Sequence, residues 1–568
     1  MTEAIGGSWD ESVDLLIVGS GAGALTCAIT AHDRGARTLL LEKSDRYGGS
    51  SAMSGGGLWI PCNHLMAQTG IQDSPEDALA YLKGCTRGAV SEARLRAYIE
   101  NAPAMLRYLC ERTRIAYEPL PEYADYYPLV AGSKPGGRAL DPKTFHAGCL
   151  GDAFLAMRDQ NPQMLIMNRI FMTIFEARTL LTRSSGWIGL TLKLMLRYWL
   201  DLPWRFRSRR DRSLAMGNAL VGMLRRSLMD RDVPIWLETG ARELLVENGR
   251  VVGLVAERGG RALRIRAEKG VVLAAGGFEG SQAMREKYLP GPTKVEWSCA
   301  NLHNTGDAIT MALALGAGLD LMDDAWWGPT TVVPGEPHAR MLVIEKSLPG
   351  GIMVNKRGER FVNESSTYID VVNAMYEKDS PESPCVPAYL VFDAAYRRKY
   401  PVGPILQSQQ QPDWALPKAF RQGYLKKADT LEGLAAQLGI DAEGLKASVA
   451  KNNAYARTGV DLDFHRGETV FDKYYGDAKV TPNPCLAPIE KPPFYGLEAW
   501  PGELGTKGGL QTDERARVLK ESGEPIAGLY AVGNCSAAVM GRSYPGAGGT
   551  LGPATTFGYI AARDAIPV

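Results

Sequence analysis

The N-terminal part of the chain places a glycine-rich turn between two short apolar runs. Residues 13–18 are mostly apolar, residues 19–24 read Gly-Ser-Gly-Ala-Gly-Ala, residues 25–33 suit a helix, and the apolar run 39–41 ends at Glu42. This order of strand, glycine turn, helix, strand and acidic residue predicts a βαβ unit that binds a dinucleotide.

The residues of this turn have distinct expected roles. Gly19 permits the tight turn, Gly21 lets the backbone approach a pyrophosphate, and Ala24 lets the helix pack closely on the sheet. The helix N-terminus then faces the phosphates. Glu42 follows 23 residues after Gly19, at the distance where a carboxylate accepts hydrogen bonds from an adenosine ribose.

Three later segments extend the pattern, namely 48–57, 271–279 and 528–534. In this order the segments resemble the fumarate reductase/succinate dehydrogenase-like flavoproteins, and the resemblance implies bound FAD. The FAD-binding residues that it implies are Gly19, Gly21, Ala22, Gly23, Ala24, Glu42, Lys43, Gly49, Ser50, Ser51, Ser54, Gly55, Gly56, Gly57, Ala275, Gly276, Asp307, Gly533, Asn534, Gly549 and Leu551. Covalent relatives use a histidine near the second segment, and residues 48–57 contain none, so we expect non-covalent FAD. We find no second nucleotide fingerprint and expect no separate NAD(P) site.

The order of the segments predicts the domain organisation. FAD-related segments lie in 1–290 and again in 498–568, so residues 291–497 are expected to form an inserted domain. The predicted fold class is therefore α/β: a Rossmann-like FAD-binding domain with an inserted α+β catalytic domain.

Composition and charge narrow the function classes. The chain is 45% apolar and 22% charged with a net charge of +1, which is typical of a globular protein and gives no sign of a nucleic acid partner. Its nine cysteines are scattered without a Cys-x-x-Cys pair, which is typical of reduced thiols in the cytoplasm. No metal site is predicted. Residues 1–13 lack a signal-peptide pattern, and no apolar run reaches membrane-spanning length, so we expect a cytoplasmic protein.

Tyrosines stand where dicarboxylate-reducing relatives carry cationic groups. The late glycine segment 543–552 has no Asn-Arg pair. The sequences Asp125-Tyr126-Tyr127, Glu364-Ser365…Tyr368, Gly505-Thr-Lys-Gly-Gly-Leu510 and Tyr544-x-x-x-Gly548 resemble those of the 3-ketosteroid Δ1-dehydrogenases, and the resemblance covers most of the chain. Because most of the 23 tyrosines must serve packing, the catalytic interpretation rests on the joint match.

The resemblance implies four catalytic residues. The Tyr544 hydroxyl and the Gly548 amide hold the C3 carbonyl, Tyr368 removes the C2 proton, Tyr126 supports Tyr368, and flavin N5 takes the C1 hydride. Two aimed donors suit a carbonyl oxygen that gains enolate charge. A tyrosine with its ordinary pKa of about 10 is a weak base, and a neighbouring phenol in a dry site lowers that pKa. Tyr126 is preferred to Tyr127 on the family's Asp-Tyr pattern alone.

The leading hypothesis is 1,2-desaturation of a 3-oxo-4-ene steroid or sterol to the 1,4-diene-3-one. A 3-ketosteroid Δ4-(5α)-dehydrogenase, or another flavin enone oxidoreductase, would share the fold and remove hydrogen from different carbons. A non-catalytic electron-transfer flavoprotein is the alternative from a different class.

Residues 163–212 form an apolar and basic insertion that ends in an arginine run, namely Arg205, Arg207, Arg209, Arg210 and Arg212. Apolar and aromatic residues beside arginines suit helices in a membrane interface. We therefore expect either peripheral association with the inner face of the cell membrane or an amphipathic helical hairpin in a subunit interface. If the insertion contacts membrane, a quinone is a candidate electron acceptor.

Overall fold

A computed structural model describes residues 8–182 and 185–567 and divides the chain into two compact units. Unit 1 runs to Met284 and also contains Asn301–Ala325 and the chain from Gly505. Unit 2 contains Arg285–Ala300 and Trp326–Leu504. The domain limits predicted from the sequence, at 290/291 and 497/498, stay a prediction.

The described chain combines runs of strands with runs of α-helices. The strands are β1 (Glu11–Val18), β2 (Thr38–Leu41), β3 (Leu58–Trp59), β4 (Tyr117–Pro119), β5 (Ala139–Pro142), β6 (Phe145–His146), β7 (Leu165–Ile166), β8 (Ile170–Phe171), β9 (Ser213–Leu214), β10 (Ile235–Trp236), β11 (Thr239–Glu247), β12 (Arg250–Arg258), β13 (Arg261–Leu273), β14 (Leu319–Asp320), β15 (Ala325–Thr331), β16 (Arg340–Met341), β17 (Gly351–Val354), β18 (Ala388–Asp393), β19 (Lys426–Ala428), β20 (Phe494–Thr506), β21 (Gly509–Leu510), β22 (Arg517–Leu519) and β23 (Pro525–Ala531). The α-helices are α1 (Ala22–Asp33), α2 (Gly49–Met53), α3 (Pro75–Thr86), α4 (Glu92–Arg112), α5 (Ile174–Thr182), α6 (Trp187–Trp199), α7 (Leu202–Arg205), α8 (Met216–Met229), α9 (Gln282–Tyr288), α10 (Asp307–Leu313), α11 (Tyr368–Glu377), α12 (Ala394–Lys399), α13 (Leu431–Leu438), α14 (Ala442–Thr458), α15 (Val470–Tyr474) and α16 (Leu551–Ala565).

The main sheet of unit 1 has eight strands, with the path β10-β2-β1-β13-β12-β11 and with β23 and β22 joined at β13. Strand β1 pairs in parallel with β2 and β13, and β13 pairs in parallel with β23. Strands buried on both faces read as continuous apolar runs, as Leu15 to Val18 do. The predicted Rossmann-like α/β unit is confirmed.

Small residues let helices α1 and α16 approach each other closely. A Cβ atom on Gly23 would lie 2.7 Å from the carbonyl oxygen of Ala554, and one on Gly558 would lie 2.4 Å from that of Gly23. Either side chain would force the helices apart. The glycine turn is thus held against the last helix of the chain.

Unit 2 contains a six-stranded sheet with the path β16-β15-β20-β18-β17 and with β19 on β20. Helices α13 and α14 cover it through a core that includes Val391, Leu434, Leu445 and Phe494. The antiparallel pairs β17–β18 and β18–β20 give this inserted part the expected α+β character.

The insertion 163–212 forms the β7–β8 hairpin followed by α5, α6 and α7. It has a small core of its own, in which Ile170, Leu194 and Tyr198 are buried. Across residues 8–182 and 185–567, no helix combines the length and the apolar character needed to cross a membrane.

Candidate active site and dinucleotide-binding residues

The glycine turn between β1 and α1 has a geometry that only glycine fits. Gly19 has a φ angle of +109°, and a Cβ atom there would lie 2.3 Å from the carbonyl oxygen of Ala274. Ser51 of the second glycine segment accepts a hydrogen bond of 3.0 Å from the amide of Ala22, where α1 begins. The N-terminus of α1 carries the partial positive charge that suits a pyrophosphate.

The predicted ribose-binding acid is held in place. Glu42 is buried at the end of β2, and its carboxylate accepts hydrogen bonds from the Ser20 hydroxyl (2.5 Å) and the Ser44 amide (3.0 Å). Ser20 also accepts a hydrogen bond from the amide of Gly48 at 2.9 Å. The first and second glycine segments are therefore tied together at this carboxylate.

Lys43 and Asp307, which lie far apart in the sequence, meet in unit 1. The Lys43 ammonium donates to Asp307 Oδ2 at 2.7 Å and to the Thr305 hydroxyl at 2.6 Å. Partial burial opposes ionisation, but the hydrogen bonds from Lys43 and Thr305 lower the pKa of Asp307.

An asparagine that was not predicted from the sequence joins two of the predicted segments, 48–57 and 271–279. Asn304 Nδ2 donates to Glu279 Oε1 at 2.7 Å and to Ser50 Oγ at 3.1 Å. A Cβ atom on Gly276 would lie 2.5 Å from the same nitrogen. The sequence Asn304-Thr-Gly-Asp307 has the pattern of a loop followed by a helix start, and of its residues only Asp307 was predicted to bind FAD.

Strand β23 pairs in parallel with β13, so the two strands end side by side, at Ala531 and Leu273. The amide of Ala275 donates to Cys535 Sγ at 3.0 Å, and this thiol donates to the carbonyl oxygen of Gly276 at 3.2 Å. Burial raises the pKa of Cys535 to about 12, so it stays a thiol. Gly533, with φ +63°, turns the chain just before it. The glycine turn, the held carboxylate and these converging strand ends fit a bound dinucleotide.

Other predicted residues lie in the same unit. Gly49 to Ser51 form the start of the short helix α2, and Ser54 ends it. Gly56 admits no side chain, because a Cβ atom would lie 2.4 Å from the carbonyl carbon of Met216. Leu551 is the first residue of α16.

Two of the predicted catalytic phenols are neighbours. The rings of Tyr126 and Tyr544 have centroids 5.4 Å apart and an interplanar angle of 26°. Their hydroxyls also have partners, because the Tyr123 and Tyr126 oxygens lie 3.3 Å apart and the Tyr544 oxygen lies 3.1 Å from Thr550 Oγ1. Tyr123, Tyr126 and Tyr544 are all buried. Such groups offer apolar faces and aimed donors together.

The backbone fixes this pair and the predicted carbonyl-binding amide. The Tyr126 amide donates to the carbonyl oxygen of Pro545 at 2.9 Å. Gly548 has φ +94°, and a Cβ atom there would lie 2.4 Å from the carbonyl carbon of Leu58. Tyr126, Tyr544 and Gly548 are therefore brought together in unit 1.

Tyr368 belongs to unit 2, where it is the first residue of α11. Thr367 caps this helix by accepting a hydrogen bond of 3.2 Å from the amide of Asp370. The buried Lys346 ammonium donates to the carbonyl oxygens of Glu364 at 2.9 Å and Ser366 at 2.6 Å. A position at the first turn of a helix favours negative charge, and this would suit the general-base role predicted for Tyr368.

The loop before Tyr368 is held by a buried ion-pair network. Arg360 and Arg466 both bind the Glu364 carboxylate, at 2.7 Å and 3.1 Å. Burial opposes ionisation, but these two cations lower the pKa of Glu364. Burial lowers the pKa of Lys346 to about 7. Glu364 was named from the sequence only as part of a family motif. Its partners Arg360 and Arg466, and Lys346, were not identified, because the pairing of Glu364 with Arg466 spans more than 100 residues.

Comparisons with known proteins agree with this geometry. The family model of the FAD binding domain matches residues 14–551, which confirms FAD as the cofactor. The structure matches the crystal structure of 3-ketosteroid delta1-dehydrogenase from Sterolibacterium denitrificans in complex with 1,4-androstadiene-3,17-dione. The TM-score is 0.95 at 50% identity, over 98% of this chain and 99% of that chain.

Two curated proteins extend the comparison. The chain is 41% identical to a 3-oxosteroid 1-dehydrogenase of Mycobacterium tuberculosis over 97% of this chain and 98% of the relative. It is 37% identical to a 4-oxocyclohexanecarboxylate 2-dehydrogenase of Sinomonas cyclohexanicum over 99% of this chain and 94% of the relative. Both of these relatives, like the chain itself, match along nearly their whole length.

Proposed function

We propose, from the premise that this chain belongs to the FAD-dependent 3-oxosteroid 1-dehydrogenase family, that its substrate is a 3-oxo-4-ene steroid or sterol. The product is the 1,4-diene-3-one. The observation that carries the proposal is the stacked pair of Tyr126 and Tyr544 beside the amide of Gly548. Phenols and a backbone amide suit a large apolar ketone, whereas a dicarboxylate calls for cationic side chains.

The carbonyl end of the substrate is held by two donors. The Tyr544 hydroxyl, which also contacts Thr550, and the Gly548 amide donate to the C3 oxygen. These donors matter most as negative charge develops on that oxygen, which makes the neighbouring C2 proton removable. Because both groups sit on a glycine loop packed against Leu58, their spacing is fixed before the substrate arrives.

Tyr368 is the proposed general base. Its oxygen takes the C2 proton while the C2–H and C1–H bonds break and the C1=C2 bond forms. The chemistry that FAD supplies when bound is acceptance of the C1 hydride at N5. Tyr126 supports the base, and the contact between the hydroxyls of Tyr123 and Tyr126 gives Tyr126 a polar partner during this transfer.

FAD is held non-covalently. The support is that residues 48–57 contain no histidine and that polar contacts of Ser50, Ser51 and Lys43 surround the predicted site. Acid precipitation of the protein should leave all yellow colour in the supernatant, and flavin that stays with the pellet would contradict this assignment.

Substrate class is tested by steady-state turnover with an artificial electron acceptor. Purified protein is incubated with 4-androstene-3,17-dione, 4-cholesten-3-one or 4-oxocyclohexanecarboxylate, the last because of the 37% identical relative. We expect 1,4-diene-3-one from the steroids. Turnover of the cyclohexane acid alone would contradict the steroid proposal. Turnover of a 5α-reduced 3-ketosteroid to the 4-ene alone would favour the Δ4-(5α) alternative, and no turnover would favour a non-catalytic flavoprotein.

The insertion 163–212 is proposed to contact an anionic lipid surface. Helix α6 exposes one apolar row, Ile188, Leu192, Leu196 and Trp199, of which each side chain is 52–59% exposed. Their spacing of three or four residues places them on one face, while Leu194 and Tyr198 face the insertion's own core. A row of this kind is typical of helices that lie in a membrane interface.

The arginine run contributes less to this surface than its sequence indicates. Arg212 pairs with Asp201 at 2.5 Å, and Arg210 pairs with Asp159 at 2.8 Å. Arg205 donates to backbone carbonyl oxygens of the same segment. Lys193, Arg207 and Arg209 are exposed, although Arg207 also pairs with Asp152 at 3.5 Å. These three are the cations offered to phosphate headgroups.

Flotation with vesicles that contain anionic lipid tests this contact. We expect the wild type to float and Leu192→Ser/Leu196→Ser to stay in the dense fraction, with Leu129→Ser, at a 90% exposed residue outside the insertion, as the control. Equal flotation of all three proteins contradicts the proposal. Loss of a dimer on size exclusion in the double variant would instead favour a subunit interface.

A lipid-soluble quinone is the proposed electron acceptor. Turnover that is faster with a ubiquinone analogue bound to vesicles than with the same analogue free of vesicles supports this proposal.

A further inference from the structure

We infer that Tyr81 is a positioning residue for the desaturation, because its hydroxyl joins the loop of Tyr126 to the loop of Tyr544. The inference rests on the proposed function of these two phenols. Tyr81 lies on α3 and is fully buried. Its sequence surroundings match none of the predicted site segments.

One carbonyl oxygen is the point where the loops meet. Pro545, which directly follows Tyr544, accepts hydrogen bonds from the Tyr81 hydroxyl at 2.6 Å and from the Tyr126 amide at 2.9 Å. The Tyr81 oxygen in turn accepts a hydrogen bond from the amide of Tyr127 at 3.2 Å. A single phenol thus contacts the backbone next to both catalytic tyrosines.

The ring of Tyr81 is itself held rigidly. It lies 6.0 Å from the ring of Trp59, and the Arg138 guanidinium lies 5.5 Å above it. Arg138 binds Asp125 at 2.7 Å and Asp73 at 2.6 Å, all three being buried. Since the Asp125 carboxylate also accepts from the Trp59 indole at 2.8 Å, the residue before Tyr126 is fixed to the same cluster.

The chemistry of the Tyr81 hydroxyl favours a role in positioning the loops of Tyr126 and Tyr544. Burial raises the pKa of Tyr81 well above its ordinary value, so the hydroxyl stays protonated and keeps donating. Removing the oxygen leaves the Tyr127 amide without this acceptor and Pro545 with one donor fewer. The hydrogen bond from the Tyr126 amide to Pro545 remains, but the two loops lose the phenol that contacts both of them, and small displacements of reacting groups cost much rate.

The test compares Tyr81→Phe with Tyr396→Phe. Tyr396 is equally buried and donates its hydroxyl to the carbonyl oxygen of Glu345 at 2.7 Å, so the control removes the same kind of hydrogen bond. We expect Tyr81→Phe to lower kcat by about 10-fold to 100-fold with FAD content and Tm like those of the control. KM should change much less than kcat, because the apolar contacts to the substrate remain.

A second measurement separates positioning from a structural effect. In a Tyr126→Phe background, Tyr81→Phe should lower kcat by a smaller factor than it does in the wild type, because only the placement of Tyr544 is left to disturb and residues that act as a unit are not additive. A full additional loss there, or a Tyr81→Phe enzyme with wild-type kcat, overturns the inference. Absence of steroid turnover in the wild type and in Tyr396→Phe would instead overturn the proposed function.

Discussion

The ring centroids of Tyr126 and Tyr544 lie 5.4 Å apart with an interplanar angle of 26°, although 418 positions separate these residues in the chain. The contact joins the residue proposed to support the base and the residue proposed to hold the carbonyl. Because the hydroxyls of both tyrosines have polar neighbours, the pair has the directed donors that enolate chemistry requires.

Tyr544→Phe should lower kcat/KM by about 100-fold to 1000-fold, because it removes one of the two proposed donors to the developing oxyanion. FAD content should not change. Tyr108→Phe is the matched control, since its hydroxyl donates to Asp33 at 2.8 Å on the surface. Both kcat/KM values are measured as formation of the 1,4-diene-3-one. Equal values for the two variants would contradict the assignment of Tyr544 to the carbonyl site.

Gly548→Ala should abolish measurable turnover. Its φ of +94° and the 2.4 Å approach to Leu58 mean that a methyl group must displace the loop that carries the proposed carbonyl-binding amide. Gly35→Ala adds similar backbone strain, at φ +88°, with no atom within 4 Å, so it controls for strain alone. Activity of Gly548→Ala comparable with that of Gly35→Ala would argue against a close backbone approach to the substrate.

Glu42→Gln should weaken FAD binding by about 10-fold to 100-fold, since it removes the anion that orients Ser20 and Ser44 and that is proposed to accept hydrogen bonds from the ribose hydroxyls. Fluorescence titration of the apoprotein with FAD measures the Kd. The control is Glu257→Gln, whose carboxylate is half-exposed and pairs with Arg242 at 3.0 Å. An unchanged Kd for Glu42→Gln would place the ribose elsewhere.

Asp141→Asn should stabilise the protein at high pH. Burial raises the pKa of Asp141 to about 7, and nearby Glu118 and Glu176 add to this rise. Between the unfolded-state pKa of about 4 and the folded-state value near 7, the folded state retains a proton that the unfolded state has lost. The stability contributed by Asp141 is therefore lost as the pH rises through 7.

The difference in unfolding free energy between Asp141→Asn and the wild type should grow by about 2 kcal/mol from pH 5 to pH 8. Urea unfolding at the two pH values measures it, with Asp45→Asn, at a side chain that is 70% exposed, as the control. A difference that stays constant with pH would mean that Asp141 is ionised in the folded protein throughout this range.

Short-range spacing along the chain predicted part of the candidate cofactor site. Glu42 follows a short apolar strand at a fixed distance from Gly19, so spacing alone predicted a place for it near a dinucleotide, whereas Lys43 was named through the family resemblance. Asp307 was also named, and the structure brings it to Lys43. Asn304 was missed because its contacts with Ser50 and Glu279 join segments that no local pattern relates.

Other features needed the folded chain. The arginine run at 205–212 looked like a cationic surface, but Arg210 and Arg212 bind acidic residues of their own unit. Tyr81 gives no sequence signal, because its role depends on a hydrogen bond to a carbonyl oxygen 464 positions away. Local spacing therefore predicts the cofactor site better than it predicts the groups that hold catalytic side chains in place.

The proposed proton abstraction by Tyr368 is tested by flavin reduction with 4-androstene-3,17-dione under anaerobic single-turnover conditions in Tyr368→Phe. Tyr376→Phe, on the same helix α11, is the control, and its hydroxyl contacts the carbonyl oxygen of Pro292 at 3.1 Å. We predict that FAD stays bound in both variants and that reduction slows by about 100-fold to 10,000-fold in Tyr368→Phe only. Flavin reduction at the wild-type rate in Tyr368→Phe would contradict phenol-based proton abstraction.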